Sequence, residues 1–193
     1  MLIAFEGLDQ SGKATQARRS RDRLRADGLR ARVVSFPDYG TSIGEEIARA
    51  LTGEREYGAD VMQLLYVANR YERKPEIDRW LAAGLTLICD RYVASSLAYG
   101  EALGLDVGWL VDMQKYLPPP DLTVFLDIAP ETAVERKAAG RDRFERDRVL
   151  QVAVRESYLR LAAQPGWVRV DGERHADDVE ADVAEILSSQ LPQ

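Results

Sequence analysis

Short apolar runs alternate along the chain with longer segments in which apolar residues recur at helical spacing. The runs predict five strands, at residues 2–5, 32–36, 86–90, 121–127 and 167–171. The intervening segments predict helices at 13–27, 43–51, 60–83 and 177–187, with a further helix that begins at Pro130. Because nearly continuous apolar strands alternate with helices, we expect an α/β fold in which helices cover both faces of a five-stranded parallel sheet.

Glycine, serine and proline positions refine the ends of these helices. Three glycines follow predicted helices as stop signals: Gly28, Gly53 and Gly84. Ser42 is expected to cap the helix that follows it. Pro75 is expected either to kink the longest predicted helix or to divide it in two.

Composition narrows the class of protein. The chain has 193 residues, which suits a single domain over 1–193. Its net charge of −6 argues against nucleic acid as a partner, since sequence-independent binding needs a basic surface. The sequence has neither the pattern of a signal peptide nor an apolar run of about 18 residues, so we expect no membrane partner. The one cysteine, Cys89, lies in an apolar run, which predicts a core residue and fits the cytoplasm.

Residues 7–13 match the phosphate-binding pattern G-x-x-x-x-G-K between a predicted strand and a predicted helix. The glycines let the backbone wrap around phosphate oxygens with its N–H groups turned inward, and the helix start adds a positive dipole end. Lys13 supplies a mobile positive charge for the outer phosphates. We therefore expect ATP to contact the residues of this loop: Gly7, Leu8, Asp9, Gln10, Ser11, Gly12, Lys13, Ala14 and Thr15.

The residue after Lys13 departs from the usual pattern. Ser or Thr normally stands there and binds Mg²⁺ through its hydroxyl, whereas this chain has Ala14. Thr15 follows one residue later, about 100° further round the helix, so it does not simply replace the missing hydroxyl. We therefore expect Mg²⁺ to be held by phosphate oxygens, water and a carboxylate from another part of the chain.

Two aspartates that end predicted strands compete for this metal-binding role. Ligand crevices in open α/β sheets lie at the carboxyl ends of strands, where both Asp90 and Asp127 are placed. We favour Asp90, because the guanidinium of Arg91 beside it suits phosphate. The competing interpretation of Asp127 makes it an ordinary residue at the start of a loop.

Several motifs, in the right order over nearly the whole chain, resemble those of the thymidylate kinase family. The phosphate loop identifies only the superfamily, whereas Ala-Asn-Arg at 68–70 and Asp-Arg-Tyr at 90–92 are specific. The similar segments are 5–9 with the phosphate loop, 36–37, 64–70, 90–92 with Ser95, 119–121 and 143–145. The resemblance implies a P-loop NTPase fold of the nucleoside monophosphate kinase type with a lid segment, usually in a homodimer. It also implies phosphorylation of dTMP to dTDP with ATP and Mg²⁺, for dTTP synthesis.

The resemblance also implies roles for single residues. Asp9 is expected to meet the deoxyribose 3′-OH, and Arg91 to clamp the acceptor phosphate. In the acceptor pocket, Tyr66 is expected to stack on thymine and Arg70 to bond a base carbonyl; without the resemblance, the pattern favours Tyr66 as a core residue. The other implied pocket residues are Phe36, Tyr39 near the acceptor phosphate, Ser96 near a ring nitrogen and Tyr99, which disfavours a 2′-hydroxyl.

Family members differ in where catalytic positive charge is kept, and this chain has a neutral Gln10 and Ser11 in the phosphate loop. Its arginines are concentrated instead at 136–148, a stretch that fits either a lid or an exposed helix face with ion pairs. We hypothesise that an arginine of this lid covers the transferring phosphoryl group. The candidates are Arg136, Arg141 and Arg143.

Three other functions remain open at this point. A deoxynucleoside kinase needs a base near the first strand, a role that Glu6 is able to fill only with difficulty. A GTPase switch is disfavoured, because the sequence has no Asn-Lys-x-Asp motif. A protein that binds nucleotide without turnover is the serious alternative, since Ala14 removes a metal ligand.

Overall fold

The five predicted strands form one parallel sheet in the computed structural model, which describes residues 1–136 and 147–190. The strands are β1 (Leu2–Glu6), β2 (Ala31–Ser35), β3 (Thr86–Asp90), β4 (Leu122–Asp127) and β5 (Trp167–Asp171), in the spatial order β2-β3-β1-β4-β5. All four neighbouring pairs are parallel. The predicted sheet is therefore confirmed, with strand ends shifted by at most one residue.

Helices connect the strands. They are α1 (Lys13–Ala26), α2 (Ser42–Thr52), α3 (Ala59–Ala82), α4 (Val93–Ala102), α5 (Val107–Gln114), α6 (Pro130–Arg136), α7 (Arg148–Leu161) and α8 (Ala176–Gln190). Their positions agree with the predicted helices, but α4, α5 and α7 were not predicted. In the described parts of the chain, no helix is long and apolar enough to cross a membrane.

Successive apolar side chains of β1 point to opposite faces of the sheet, which explains why helices cover both faces. Ile3 and Phe5 point into a cluster that contains residues of α1 and α8. Leu2 and Ala4 point the opposite way, into a cluster with residues of α3. Cys89 is fully buried in the second cluster, as predicted. The alternation of two apolar faces along one strand is what a sheet between two helical layers requires.

One local prediction about helices was wrong, and of the two expectations for Pro75 the structure excludes the division of the helix. The N-cap of α2 is Thr41 rather than Ser42, because the Thr41 side chain accepts a hydrogen bond from the N–H of Gly44. Helix α3 continues through Pro75 as one element of 24 residues. Tertiary packing of Ile77, which is fully buried against β3 residues, offsets the hydrogen bond that proline removes.

The central position of β1 decides where the chemistry lies. Strands β3 and β4 flank β1, so the phosphate loop after β1, Asp90 at the end of β3 and Asp127 at the end of β4 share one edge of the sheet. The predicted lid, 136–148, lies mostly outside the described residues, which resume at Asp147.

Candidate active site

The phosphate loop needs glycine at its first position for steric reasons. A Cβ atom on Gly7 would lie 2.4 Å from the carbonyl oxygen of Leu126, and the φ angle of Gly7 is 142°. Gly12 has a φ of 94° and immediately precedes α1, so the first N–H groups of the helix face the loop. Lys13 folds back over the loop, and its Nζ donates to the carbonyl oxygen of Leu8 at 2.6 Å.

Two cavities lie at the carboxyl edge of the sheet. The large cavity has a volume of about 940 Å³ and is lined by residues 9–16 of the phosphate loop and α1, residues 172–176 after β5, Asp90 and Arg136. The small cavity has a volume of about 110 Å³ and lies between α3 and α4. Its lining includes every predicted acceptor-pocket residue: Asp9, Phe36, Tyr39, Tyr66, Arg70, Arg91, Ser96 and Tyr99. The structure thus brings together the residues that the motifs assigned to each ligand, and their roles stay predictions.

Arg91 lies in the wall that the two cavities share. The residues that line both are Asp9, Phe36, Pro37, Tyr39 and Arg91. Nη2 of Arg91 donates to Oδ1 of Asp9 at 2.6 Å, and Nη1 donates to the carbonyl oxygen of Gly7 at 3.1 Å. One guanidinium therefore contacts the phosphate loop on one side and faces the small cavity on the other.

The close approach of Asp9, Arg91 and Lys13 at this shared wall shifts the pKa of each side chain. Burial alone would raise the pKa of Asp9, but the charges of Arg91 and Lys13 outweigh it and lower the pKa to about 2. Burial, followed by repulsion from Arg91, lowers the pKa of Lys13 to about 8. The attraction of Asp9 outweighs burial at Arg91 and raises its pKa. Asp9 and Arg91 are therefore both charged at neutral pH.

The small cavity has a polar end formed by Arg70. Arg70 is only 3% exposed, and its Nη1 donates to Oγ of Ser96 at 2.8 Å and to Oε1 of Gln114 at 3.0 Å. Among the described residues, Nε of Arg70 and Oε1 of Gln63 have no hydrogen-bond partner. Gln63 and Gln114 were missed by the sequence analysis, because neither belongs to a motif that it used.

The two aspartates that compete for a metal differ in availability. Both carboxylate oxygens of Asp127 accept hydrogen bonds from guanidinium groups, of Arg155 at 2.7 Å and of Arg169 at 2.6 Å. Asp90 is partly exposed and lines the large cavity beside Lys13. Within residues 1–136 and 147–190, no three His, Cys, Asp or Glu side chains form a metal-binding group. A single available carboxylate suits Mg²⁺, which is usually bound by one or two carboxylates together with substrate phosphates and water.

Arg136 is the described member of the three lid arginines. Its guanidinium donates to three backbone carbonyl oxygens, those of Gln10, Gly172 and Glu173. It therefore joins the phosphate loop to the segment after β5 along the rim of the large cavity. Arg141 and Arg143 lie outside the described residues.

Comparison of the sequence and the fold with known proteins identifies the family of this chain. The family model of thymidylate kinase matches residues 5–183, which include every element from β1 to the middle of α8. The chain belongs to the thymidylate kinase family. The predicted resemblance is thereby confirmed.

Thymidylate kinases from distant organisms are similar to the chain over nearly its whole length. The Caenorhabditis elegans protein is 35% identical over 98% of this chain and 90% of its own. The Homo sapiens protein is 33% identical over 94% of this chain and 87% of its own. The solved structure of thymidylate kinase from Candida albicans has a TM-score of 0.87 at 32% identity, covering 97% of this chain and 91% of that one. The P-loop nucleoside monophosphate kinase fold is thereby confirmed as well.

In this member of the thymidylate kinase family, Glu6 is not placed as a deoxynucleoside kinase base would be. The side chain is fully buried, and its Oε2 accepts hydrogen bonds from Ser95 at 2.6 Å and from Tyr158 at 2.9 Å. It lines neither cavity. A base must lie within hydrogen-bonding reach of the hydroxyl that it deprotonates. The geometry therefore disfavours the nucleoside kinase alternative.

Proposed function

We propose that this chain transfers the γ-phosphoryl group of ATP to the phosphate of dTMP, giving dTDP for dTTP synthesis. The observation that carries the proposal is the position of Arg91, whose guanidinium lies in the wall between the two cavities. The large cavity, beside the phosphate loop, suits ATP. The small cavity, enclosed by aromatic and polar side chains, suits a nucleoside monophosphate. A cation between them faces both the attacking and the transferring phosphates.

Recognition of dTMP follows from the lining of the small cavity. Tyr66 offers a ring on which thymine stacks, with a gain of about 1–3 kcal/mol. Arg70 donates to a base carbonyl, held in position by Ser96, which itself lies within reach of a ring nitrogen. Asp9 accepts the 3′-OH, and Tyr99, which donates to Asp9 at 3.2 Å, limits the space at the 2′ carbon. Phe36 and Tyr39 close the side next to the phosphate.

The chemical step needs alignment and charge neutralisation more than covalent help. Lys13 and the N–H groups of the phosphate loop hold the outer phosphates of ATP. Arg91 presents the acceptor phosphate, which is already ionised at neutral pH and needs no general base. Residues 136–148 form the lid of this single-domain enzyme, and Arg136, Arg141 or Arg143 covers the transferring group and helps to exclude water.

Asp90 is the proposed ligand for Mg²⁺. Ala14 supplies no hydroxyl, and Asp127 is bound by two arginines, so of the two aspartates that end strands Asp90 is the one available beside the phosphate loop. A bound Mg²⁺ neutralises charge on the phosphates of ATP. Asp90 would hold this ion beside the phosphate loop.

A coupled ADP-release assay tests the proposed function. The purified chain is incubated with ATP and Mg²⁺ and, in turn, dTMP, dUMP, dCMP, dGMP, dAMP, UMP and thymidine. We expect strong preference for dTMP. Turnover of thymidine alone would identify a nucleoside kinase, and saturable ATP binding without turnover of any acceptor would support a binding protein that Ala14 has left without activity.

The affinity for ATP is expected to fall as the pH rises through about 8. The pKa of Lys13 is about 8 in the free protein, so above this pH the amine is neutral and must take up a proton when phosphate binds. The dissociation constant then rises by up to about tenfold for each pH unit above 8. Calorimetric titration between pH 7.5 and 9.5 measures this rise. Lys13→Arg is the control, because its guanidinium stays charged and should give a flat profile. Equal slopes for both proteins would contradict the assignment.

We further propose that the enzyme is a cytoplasmic homodimer. Large apolar side chains on α3 and α5 are exposed in the single chain, among them Leu64 at 48% and Val111 at 50%. A second copy would remove them from water. Light scattering should therefore give twice the 21.6 kDa of one chain, and Leu64→Glu should lower it towards one. A wild-type protein that scatters as a single chain at micromolar concentration would refute the dimer.

A further inference from the structure

Glu6 ends β1, immediately before the phosphate loop, and its carboxylate is completely buried. A buried carboxylate is costly unless each oxygen is well paired. Oε1 of Glu6 accepts hydrogen bonds from the N–H groups of Tyr92 at 2.8 Å and of Ser95 at 3.2 Å. Oε2 accepts from the hydroxyls of Ser95 at 2.6 Å and Tyr158 at 2.9 Å. All of these donors are neutral groups from two distant segments of the chain.

The contacts of Oε1 determine how α4 begins. Tyr92, the N-cap residue of α4, makes no side-chain cap. The carboxylate of Glu6 takes that place, because it accepts from the N–H of Tyr92, which has no partner within the helix, and shares the N–H of Ser95 with the carbonyl oxygen of Tyr92. Its negative charge also suits the positive end of the helix dipole. A residue 86 positions earlier thus fixes the start of α4.

Arg91, directly before α4, adopts a backbone conformation that its surroundings impose. Its φ angle is 65°, in the left-handed region that residues other than glycine rarely occupy. The N–H of Arg91 donates to the carbonyl oxygen of Phe5 at 2.9 Å, and the next N–H, of Tyr92, donates to Glu6. Two consecutive residues of β1 therefore hold two consecutive N–H groups. This turn directs the Arg91 side chain back towards Gly7 and Asp9.

The contacts of Oε2 reach the same guanidinium through two hydroxyls. Nη1 of Arg91 lies 3.2 Å from Oγ of Ser95 and 3.4 Å from the Tyr158 oxygen. Each hydroxyl has one hydrogen, and the two hydroxyl oxygens lie 3.0 Å apart. When both hydroxyls donate to Glu6, the lone pairs of both oxygens are left for Arg91. A carboxylate enforces this direction because it only accepts hydrogen bonds. A carboxamide would place its NH2 group either against both hydroxyls, which would then have to accept, or against the N–H groups of Tyr92 and Ser95.

We propose that Glu6 is a positioning residue that sets the orientation of Arg91 for phosphoryl transfer. Glu6 acts through the backbone turn at residue 91 and through the hydroxyls of Ser95 and Tyr158, and it touches no substrate itself. The inference rests on the proposed dTMP kinase activity of the same site.

The first test is Glu6→Gln, assayed as the full chain with saturating ATP and dTMP. We expect kcat to fall by about 10²-fold, the cost of displacing a catalytic group by about 1 Å, while the melting temperature and the dissociation constant of ATP change little. Glu101→Gln is the matched control. Glu101 lies on α4 itself and, like Glu6, accepts a hydrogen bond from a hydroxyl of α7, that of Ser157, but in the described part of the chain it makes no hydrogen bond with Arg91. Its kcat should stay within about twofold of wild type.

A double-mutant cycle with Arg91→Ala separates positioning from a general structural role. If Glu6 acts through Arg91, Glu6→Gln lowers kcat no further once Arg91 is replaced. Multiplicative losses would overturn the inference. Tyr158→Phe keeps the ring and removes one hydroxyl, so it remains informative if Glu6→Gln fails to fold. It should lower kcat by about tenfold, in keeping with one hydrogen bond to a charged group.

The outcomes for the inference and for the proposed function are distinct. A wild-type protein without dTMP kinase activity refutes the function itself. An active wild type with unchanged kcat in both Glu6→Gln and Tyr158→Phe refutes only the role of Glu6.

Discussion

Replacement of Arg91 by alanine is expected to lower kcat for phosphoryl transfer to dTMP by about 10³-fold or more, the lower end of the range for arginines that stabilise a transferring phosphoryl group. Arg91 is the one cationic side chain, in the part of the chain that the structure describes, that lines both cavities. Its loss would also leave Asp9 without its ion-pair partner beside the proposed position of the acceptor phosphate. Steady-state kinetics with both substrates varied measures the effect.

Two further variants test whether the fall in kcat comes from the loss of the guanidinium at this position. Arg91→Lys keeps the charge but not the two-pronged geometry, so we expect an intermediate kcat. Arg19→Ala removes an arginine that is also paired with carboxylates, those of Asp177 and Glu180, but on the exposed surface. Its kcat should match the wild type. A value for Arg91→Ala within tenfold of wild type would remove Arg91 from the mechanism.

Asp90→Asn is expected to lower kcat by about 10²-fold and to raise the Mg²⁺ concentration needed for half-maximal rate. A neutral amide is a weaker partner for Mg²⁺ and its water than a carboxylate, and several kcal/mol of charge stabilisation correspond to a factor of this size. Magnesium titrations at fixed ATP and dTMP give both quantities.

The matched control for this variant is Asp127→Asn. Asp127 ends the strand on the other side of β1 but is bound by Arg155 and Arg169, which lower its pKa in spite of burial. We expect Asp127→Asn to lower the melting temperature, since both arginines lose their partner, and to leave the Mg²⁺ dependence unchanged. The opposite pattern, with the metal dependence altered only by Asp127→Asn, would assign the metal to Asp127.

Elements whose signal is local were predictable from the sequence. Each strand is a short apolar run, and the alternation of strands with helices already specifies a parallel sheet. Helix α4 gave no such signal, because it contains Ser95, Ser96 and Gly100, which favour helices weakly. Its start depends on Glu6, a contact between distant parts of the chain. Helix α7 begins at an Asp147 cap that charge pattern alone did not distinguish from the arginine-rich stretch before it.

The candidate site was predictable to a similar extent. The ordered motifs identified the residues around both cavities, including Tyr66, which periodicity alone would have assigned to the core. Gln114 was missed because it reaches Arg70 across 44 positions of sequence. Choosing Asp90 over Asp127 rested on its neighbour Arg91, whereas the structure gives a better reason in the two arginines that already occupy Asp127.

The ion pair between Arg91 and Asp9 means that a carboxylate of the protein already occupies the proposed phosphate-binding guanidinium. Asp9 contacts the guanidinium at 2.6 Å, so in the proposed complex the phosphate of dTMP competes with this carboxylate for Arg91. A doubly charged phosphate is able to win this exchange, whereas thymidine carries no anion to offer. Once displaced, Asp9 is free to accept the sugar hydroxyl, so recognition of the phosphate and of the deoxyribose is coupled in a single exchange of partners.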